Sequence, residues 1–185
     1  LYEHKANFDM QDFAQQLRFR DDGLSDDPDY TGAAISPYHY ANREADSNTA
    51  YYSVSGWMDG GGYSTGTIQR FLWLRNPESR LLLGPWDHGA RAHVSPWRVN
   101  NDPQQPILGA AVLRFFDKHL MQSDISINDE KPVHYFTMGE EKWKAIDTWP
   151  PPADKYSFFP GPSGTLSKSP PSQPGLDSYQ GDYAC

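Results

Sequence analysis

The chain has 185 residues, and its 16 Lys and Arg against 24 Asp and Glu give a formal charge of −8. An acidic chain with no basic cluster is a poor partner for nucleic acid or an anionic membrane, since both are bound through grouped cations. Its lone Cys185 excludes an intrachain disulfide and a cysteine zinc site, and no apolar run reaches the roughly 18 residues of a membrane-spanning helix.

The first residues, LYEHKANF, carry neither an initiator methionine nor an apolar leader, and the last, GDYAC, fall in turn-rich sequence, so the chain reads as a piece of a longer protein. Residues 1–22 predict a helix, with Phe8, Met10, Phe13 and Leu17 at helix-compatible spacings and Asp21 and Asp22 ahead of Gly23. A polar linker follows, and Pro28, Gly32 and Pro37 restrict it to short helical turns. The β-rich run Ala50–Ser55 then leads through a glycine loop into a helix over 66–75, where Ile68, Phe71, Leu72 and Leu74 are apolar. Asn76-Pro77 makes a turn, and Arg80–Gly84 is a second apolar strand. Two short apolar strands around one amphipathic helix form a βαβ unit with parallel strands buried on both faces.

A loop rich in Trp and His spans 85–103, and QQPILGAAVLRFFDKHLMQ predicts a strong helix with Pro106 near its first turn. From about residue 130 the texture changes. KPVHYFTMG and KYSFFPG are short β-type runs separated by WPPPAD, and GPSGTLSKSPPSQPG is rich in Pro, Ser and Gly. The expectation is an α/β part ending near residue 125 and an all-β part from 126 to 185.

Within the βαβ unit, GYSTG at Gly62–Gly66 has the letters of the Gly-x-Ser-x-Gly nucleophile elbow. An elbow needs an apolar strand running straight into its first glycine, so that the strained turn thrusts the serine above the strand's carboxyl end. Here Met58-Asp59-Gly60-Gly61 stands in that place, several residues after the strand. Ser64 and Thr65 are therefore expected to sit in a glycine-rich loop and cap the next helix through their hydroxyls.

Functional residues of a parallel sheet collect just beyond the carboxyl ends of its strands. That rule selects Asp59 in GWMDGGG and His88 in GPWDHG. Adjacent parallel strands would bring the two loops together, so that the carboxylate could orient the imidazole as in a Ser-His-Asp triad. The simpler alternative is an ordinary loop histidine and an acid stabilising a turn. Asp87 is adjacent to His88, and neighbouring side chains in an extended loop point apart, which favours Asp59 as the partner. His93 reads as a surface or packing residue. His4, His39, His119 and His134 show no metal-ligand spacing, so no metal and no cofactor are expected. Trp57 and Trp86 flank the two loops and either wall a substrate site or only pack the loops. If the triad order is Ser, then Asp, then His, the nucleophile lies upstream of Asp59 and before residue 1.

At these residues the chain resembles a known family. SGWMDGGGYSTGTIQRF, SRLLLGPWDHG and PVHYFTMGEEKWKAIDTWPPP are similar to the corresponding blocks of the CocE/NonD hydrolases, a group that includes cocaine esterase, α-amino-acid ester hydrolases and X-Pro dipeptidyl-peptidases. The resemblance implies a serine hydrolase of α/β-hydrolase fold, with Asp59 as triad acid and His88 as base, acting on a small ester or peptide. It also implies that residues 1–48 are the end of a helical cap, 49–125 the carboxyl-terminal part of the hydrolase domain, and 126–185 the start of a jelly-roll domain. The family nucleophile sits in a Gly-x-Ser-Tyr-x-Gly elbow, and no such segment occurs in these residues. The serine and the rest of the hydrolase would come from outside this chain. Self-association into a homo-oligomer is left open, as are compartment and the choice between ester and peptide. A different class of function, a non-catalytic carbohydrate- or protein-binding β module joined to a hydrolase remnant, draws its support from the aromatic tail.

Overall fold

The computed structural model describes residues 18–19, 21–23, 28–34, 36–97, 105–123, 130–176, 178 and 180–181. Phe8, Met10, Phe13 and Leu17 of the expected first helix lie outside the described residues. In the linker, Ser36 Oγ accepts from Tyr38 N at 3.3 Å and caps a 3₁₀ turn, Pro37–Tyr40. The turn runs into a short helix, α1, Ala41–Asp46.

Strand β1, Tyr52–Gly56, and strand β2, Arg80–Gly84, enclose helix α2, Tyr63–Trp73. Helix α3, Gln105–His119, leads to β3, Val133–Thr137, which turns back into β4, Lys142–Ile146. The four strands form one sheet in the order β1-β2-β3-β4, with the first three parallel and β4 antiparallel to β3.

The leucine run of β2 explains the layering. Successive side chains of a strand point to opposite faces. Leu81 and Leu83 meet Val133 on one face, where Ile68 and Phe71 of α2 pack against them. Leu82 faces the other way and joins Trp86 and Ala90, with Leu108 and Ala111 of α3 packed alongside. All three leucines are at most 5% exposed. A strand covered on both faces by helices has no use for polar alternation, which is why the sequence reads as continuous apolar residues.

Helix α2 starts three residues before the expected position, because the chain turns into it through Gly61 and Gly62 at φ +65° and +78°. Only glycine adopts that conformation without strain. Gly62 is the N-cap and no side chain caps the helix, so Ser64 and Thr65 lie inside the first turn and do not play the capping role expected of them. On its far side α2 is tied to α1. Glu44 accepts from Arg70 Nη2 at 2.5 Å and from Trp73 Nε1 at 3.3 Å.

The α/β part extends further than the sequence texture implied. β3 pairs with β2 rather than opening a separate β domain, and Val133 and Phe136 are buried in the core at 0% and 3% exposure. The compact unit therefore runs to Trp149 instead of ending near 125. A second unit, Pro150–Cys185, holds one antiparallel hairpin of β5, Phe159–Gly161, and β6, Thr165–Ser167.

Gly56 and Gly84 face each other as the last residue pair of β1 and β2. Trp86 occupies the space beside both. A Cβ on Gly84 would stand 2.3 Å from the Trp86 ring, and one on Gly56 would stand 1.9 Å from the Trp86 carbonyl oxygen. Gly84→Ala should therefore destabilise the protein by about 1–3 kcal/mol, the usual range for overpacking. Gly56→Ala should be worse, because the neighbour is backbone and cannot rotate away. Thermal unfolding measures both, and an unchanged Tm for Gly56→Ala would refute the tight seat.

Tyr52 stacks on Phe115 with ring centroids 5.3 Å apart. Burial pushes its hydroxyl from the ordinary 10.0 up to about 12. The folded state thus holds the phenol proton more tightly than the unfolded chain. The resulting stabilisation is complete below pH 10.0 and is lost as pH rises toward about 12. Chemical denaturation across that window should show a shallower stability loss in Tyr52→Phe than in the parent; equal slopes would contradict the burial argument.

Candidate functional site

The parallel pairing of β1 and β2 delivers two loops side by side, and backbone hydrogen bonds stitch them together. Trp57 N donates to Gly84 O at 2.9 Å, and Met58 N donates to Trp86 O at 3.2 Å. Asp59 N folds back to Gly56 O at 3.2 Å, closing a tight turn that presents the carboxylate. The loop after β2 makes its own turn through Gly89 and Ala90, at φ +92° and +52°. Ala90 in this left-handed conformation is uncommon for a residue with a side chain. It is held there by burial, at 3% exposure, against Trp86 and Leu82.

These turns bring Asp59 Oδ1 to 3.0 Å from His88 Nδ1. Ser55 Oγ donates to the other carboxylate oxygen at 3.4 Å. The Asp59 side chain is 11% exposed, whereas the His88 side chain is 77% exposed. A carboxylate beside Nδ1 places the imidazole proton on that nitrogen, by assignment from the hydrogen-bond network. Nε2 is then an acceptor on a ring that solvent or a reactant can reach. A largely buried carboxyl group holding one imidazole nitrogen, with the second nitrogen facing outward, is the arrangement of a proton acceptor.

Asp87 does not make this contact. Its Oδ1 is buried and has no hydrogen-bond partner among the described residues. Ser64 lies half-buried in the first turn of α2, and the ring beside the imidazole belongs to its neighbour Tyr63. The Tyr63 and His88 centroids are 5.4 Å apart at an interplanar angle of 42°. Within GYSTG the letters of the serine motif are more conspicuous than Tyr63, which carries no mark of its own in the sequence. The available signal was the glycine pair, which turns the chain so that the first helical residue faces the neighbouring loop.

Both tryptophans make packing contacts. Trp86 is 1% exposed and sits in the core. Trp57 packs against the cluster of Leu81, Leu83 and Val133, with its Nε1 donating to Phe136 O at 2.7 Å. Trp86 has almost no exposed surface among the described residues, whereas Trp57 is half-buried. His93 is also buried, at 1% exposure, edge-on to Phe136 at 4.9 Å. His39 is exposed beside Tyr40, and His119 lies 3.6 Å from Glu78, far along the chain from the Asp59 turn. Among the described residues no helix is long and apolar enough to cross a membrane.

Comparison with known proteins adds the family context. No family model matches the chain. Two proteins, from Mycobacterium bovis and Mycobacterium tuberculosis, each provisionally named a serine esterase, are 39% identical to it over 198 aligned positions, which cover 97% of this chain and 31% of theirs. Cocaine esterase of a Rhodococcus species is 28% identical over 121 positions, covering 63% of this chain and 21% of that protein. Among solved structures, a CocE/NonD family hydrolase from Staphylococcus aureus aligns with 65% of this chain and 21% of its own, at 17% identity and a TM-score of 0.45. An α-amino acid ester hydrolase aligns with 65% of this chain and 22% of its own, at 20% identity and a TM-score of 0.47. The chain thus spans about a third of the length of the curated relatives it matches first, at 31%. By sequence the chain is similar to two proteins provisionally named serine esterases and, over a shorter stretch, to cocaine esterase.

Proposed function

We propose that this chain supplies the acid and the base of a serine-hydrolase triad that cleaves an ester or an amide through an acyl-enzyme. The observation that carries the reading is the 3.0 Å contact of Asp59 with His88 at the carboxyl ends of adjacent parallel strands. In this reading His88 Nε2 takes the proton of a serine as it attacks the carbonyl carbon, and then gives that proton to the leaving alcohol or amine. A water repeats the sequence and releases the acid. Asp59 holds the reactive tautomer and stabilises the imidazolium.

The serine and the oxyanion donors come from sequence outside these 185 residues. Two facts support this: the chain spans 31% of its relatives, and Ser64 follows the acid, against the order Ser, Asp, His of α/β-hydrolases. The same reading makes the segment before β1 the end of a cap over the site, and the β-rich tail the start of a jelly-roll. The substrate is then a small ester or peptide, and the covalent partner is the remainder of the hydrolase.

The test uses the complete protein and an aryl ester at matched folded concentration. His88→Ala should lower kcat by several orders of magnitude. Asp59→Asn should lower it by about 10⁴, because the amide can donate where the carboxylate must accept and so favours the wrong tautomer. Ser64→Ala should stay within a few-fold, since that hydroxyl neither caps α2 nor reaches the imidazole. Near-normal turnover in Asp59→Asn, or phosphonate labelling of Ser64 with collapse in Ser64→Ala, would overturn the assignment.

A further inference from the structure

Resting on that reading, we infer that Glu141 is a positioning residue, which holds the His88 loop in place through Ser95 and His93. The loop is a closed structure with a tip and a foot. His93 pairs with Trp86 in an antiparallel bridge, and Val94 N donates to Pro85 O at 2.7 Å, so the chain returns alongside the segment from which it left β2. His88 rides at the tip, between these two arms. The outgoing arm is locked by Trp86 on its two glycines. The returning arm needs a lock of its own.

That lock is a carboxylate from the β3–β4 turn. Glu141 Oε1 accepts from Ser95 Oγ at 2.7 Å and from Gly139 N at 2.9 Å. Ser95 N in turn donates to His93 Nδ1 at 3.3 Å, which makes that nitrogen an acceptor and leaves the ring proton on Nε2. Nε2 is the nitrogen that faces the second oxygen of Glu141, at 3.9 Å. Ser95 and His93 are 3% and 1% exposed, so withdrawing the carboxylate takes the partner of a buried hydroxyl. Glu141 itself sits at φ +55°, a strained conformation for a residue with a side chain. Its N–H donates to Thr137 O at 2.8 Å and closes the β3–β4 hairpin, so the turn presents the side chain from a fixed backbone position.

The assignment separates holding from chemistry. Among the described residues no hydrogen bond links Glu141 to Asp59 or His88, and its assigned part is to fix where the loop stands. Misplacement of a catalytic group by about 1 Å costs roughly 10²-fold in rate.

The experiment uses the complete protein, with aryl-ester kinetics and amide hydrogen exchange. Glu141→Ala should lower kcat by roughly 10²-fold with KM within a few-fold, and should speed exchange at Gly89–Val94 while amides of β1 and β2 keep their protection. Glu141→Gln, which retains an acceptor for Ser95 and Gly139, should recover most of both losses. Wild-type kcat or unaltered loop exchange in Glu141→Ala overturns the inference, as does a Gln variant no better than Ala. Should the Ala variant fail to fold, Ser95→Ala decides by the same exchange measurement, and unaltered protection there overturns the clamp. Retained activity in His88→Ala would instead sink the esterase reading, while the exchange result would still judge the clamp.

Discussion

One steric fact organises the functional end of this molecule: Gly56 and Gly84 pair across two parallel strands, and the Trp86 that follows fills the room their missing side chains leave. With any Cβ at either position the tryptophan could not sit there. Trp86 would have to swing out, taking with it the carbonyl that receives Met58 N and the arm that bears His88. The glycines therefore serve a close approach of backbone and ring rather than flexibility. The cost in backbone entropy is offset by burying the whole indole, at 1% exposure, between strand ends and helix α3.

From that seat the geometry of the Asp59–His88 pair follows by short steps. Asp59 is three residues beyond Gly56 and His88 four beyond Gly84, so each side chain is reached by a single tight turn. Short tethers leave little room for error. The Asp59 turn is closed on Gly56 O, and the His88 loop is locked at the front by Trp86 and gripped at the back by the hydrogen bonds of Ser95. Because Asp59 is nearly buried and His88 is open, the electrostatic pull on the imidazole is exerted where water screens it least. The outward ring nitrogen of His88 lies where a reactant can approach.

The parallel sheet also explains why so much of the chain is given to a small pair of residues. Strands joined in parallel need a crossover helix for each connection. The helices α2 and α3 provide those crossovers on opposite faces, and the leucines of β2 hold them with alternating side chains. Glu44 extends this frame to α1 by receiving both Arg70 and Trp73 from the outer side of α2.

Residues with short-range causes were legible in the sequence. The apolar run at Arg80–Gly84 stood out because burial on both faces removes polar alternation, and its bounds match the strand. The helix at Gln105–His119 was marked by Pro106 and a sustained apolar period. Asp59 and His88 could be chosen because the position past a parallel strand's end is a local property. Other features depended on partners far away in sequence. KWKAI at Lys142–Ile146 carries two lysines among five residues and became strand β4 only because β3 offered it an antiparallel edge. The compact unit reached Trp149 because Val133 and Phe136 fit beside the leucines of β2, a match that no window around residue 130 contains. Tyr63 and Glu141 look like any surface tyrosine and glutamate in the sequence. What set their places was the folding of two loops, one 25 residues further along the chain and one 46 residues back, against them. Periodicity and turn chemistry act within a few residues and can be read directly; contacts between distant segments are decided by how the buried faces pack together.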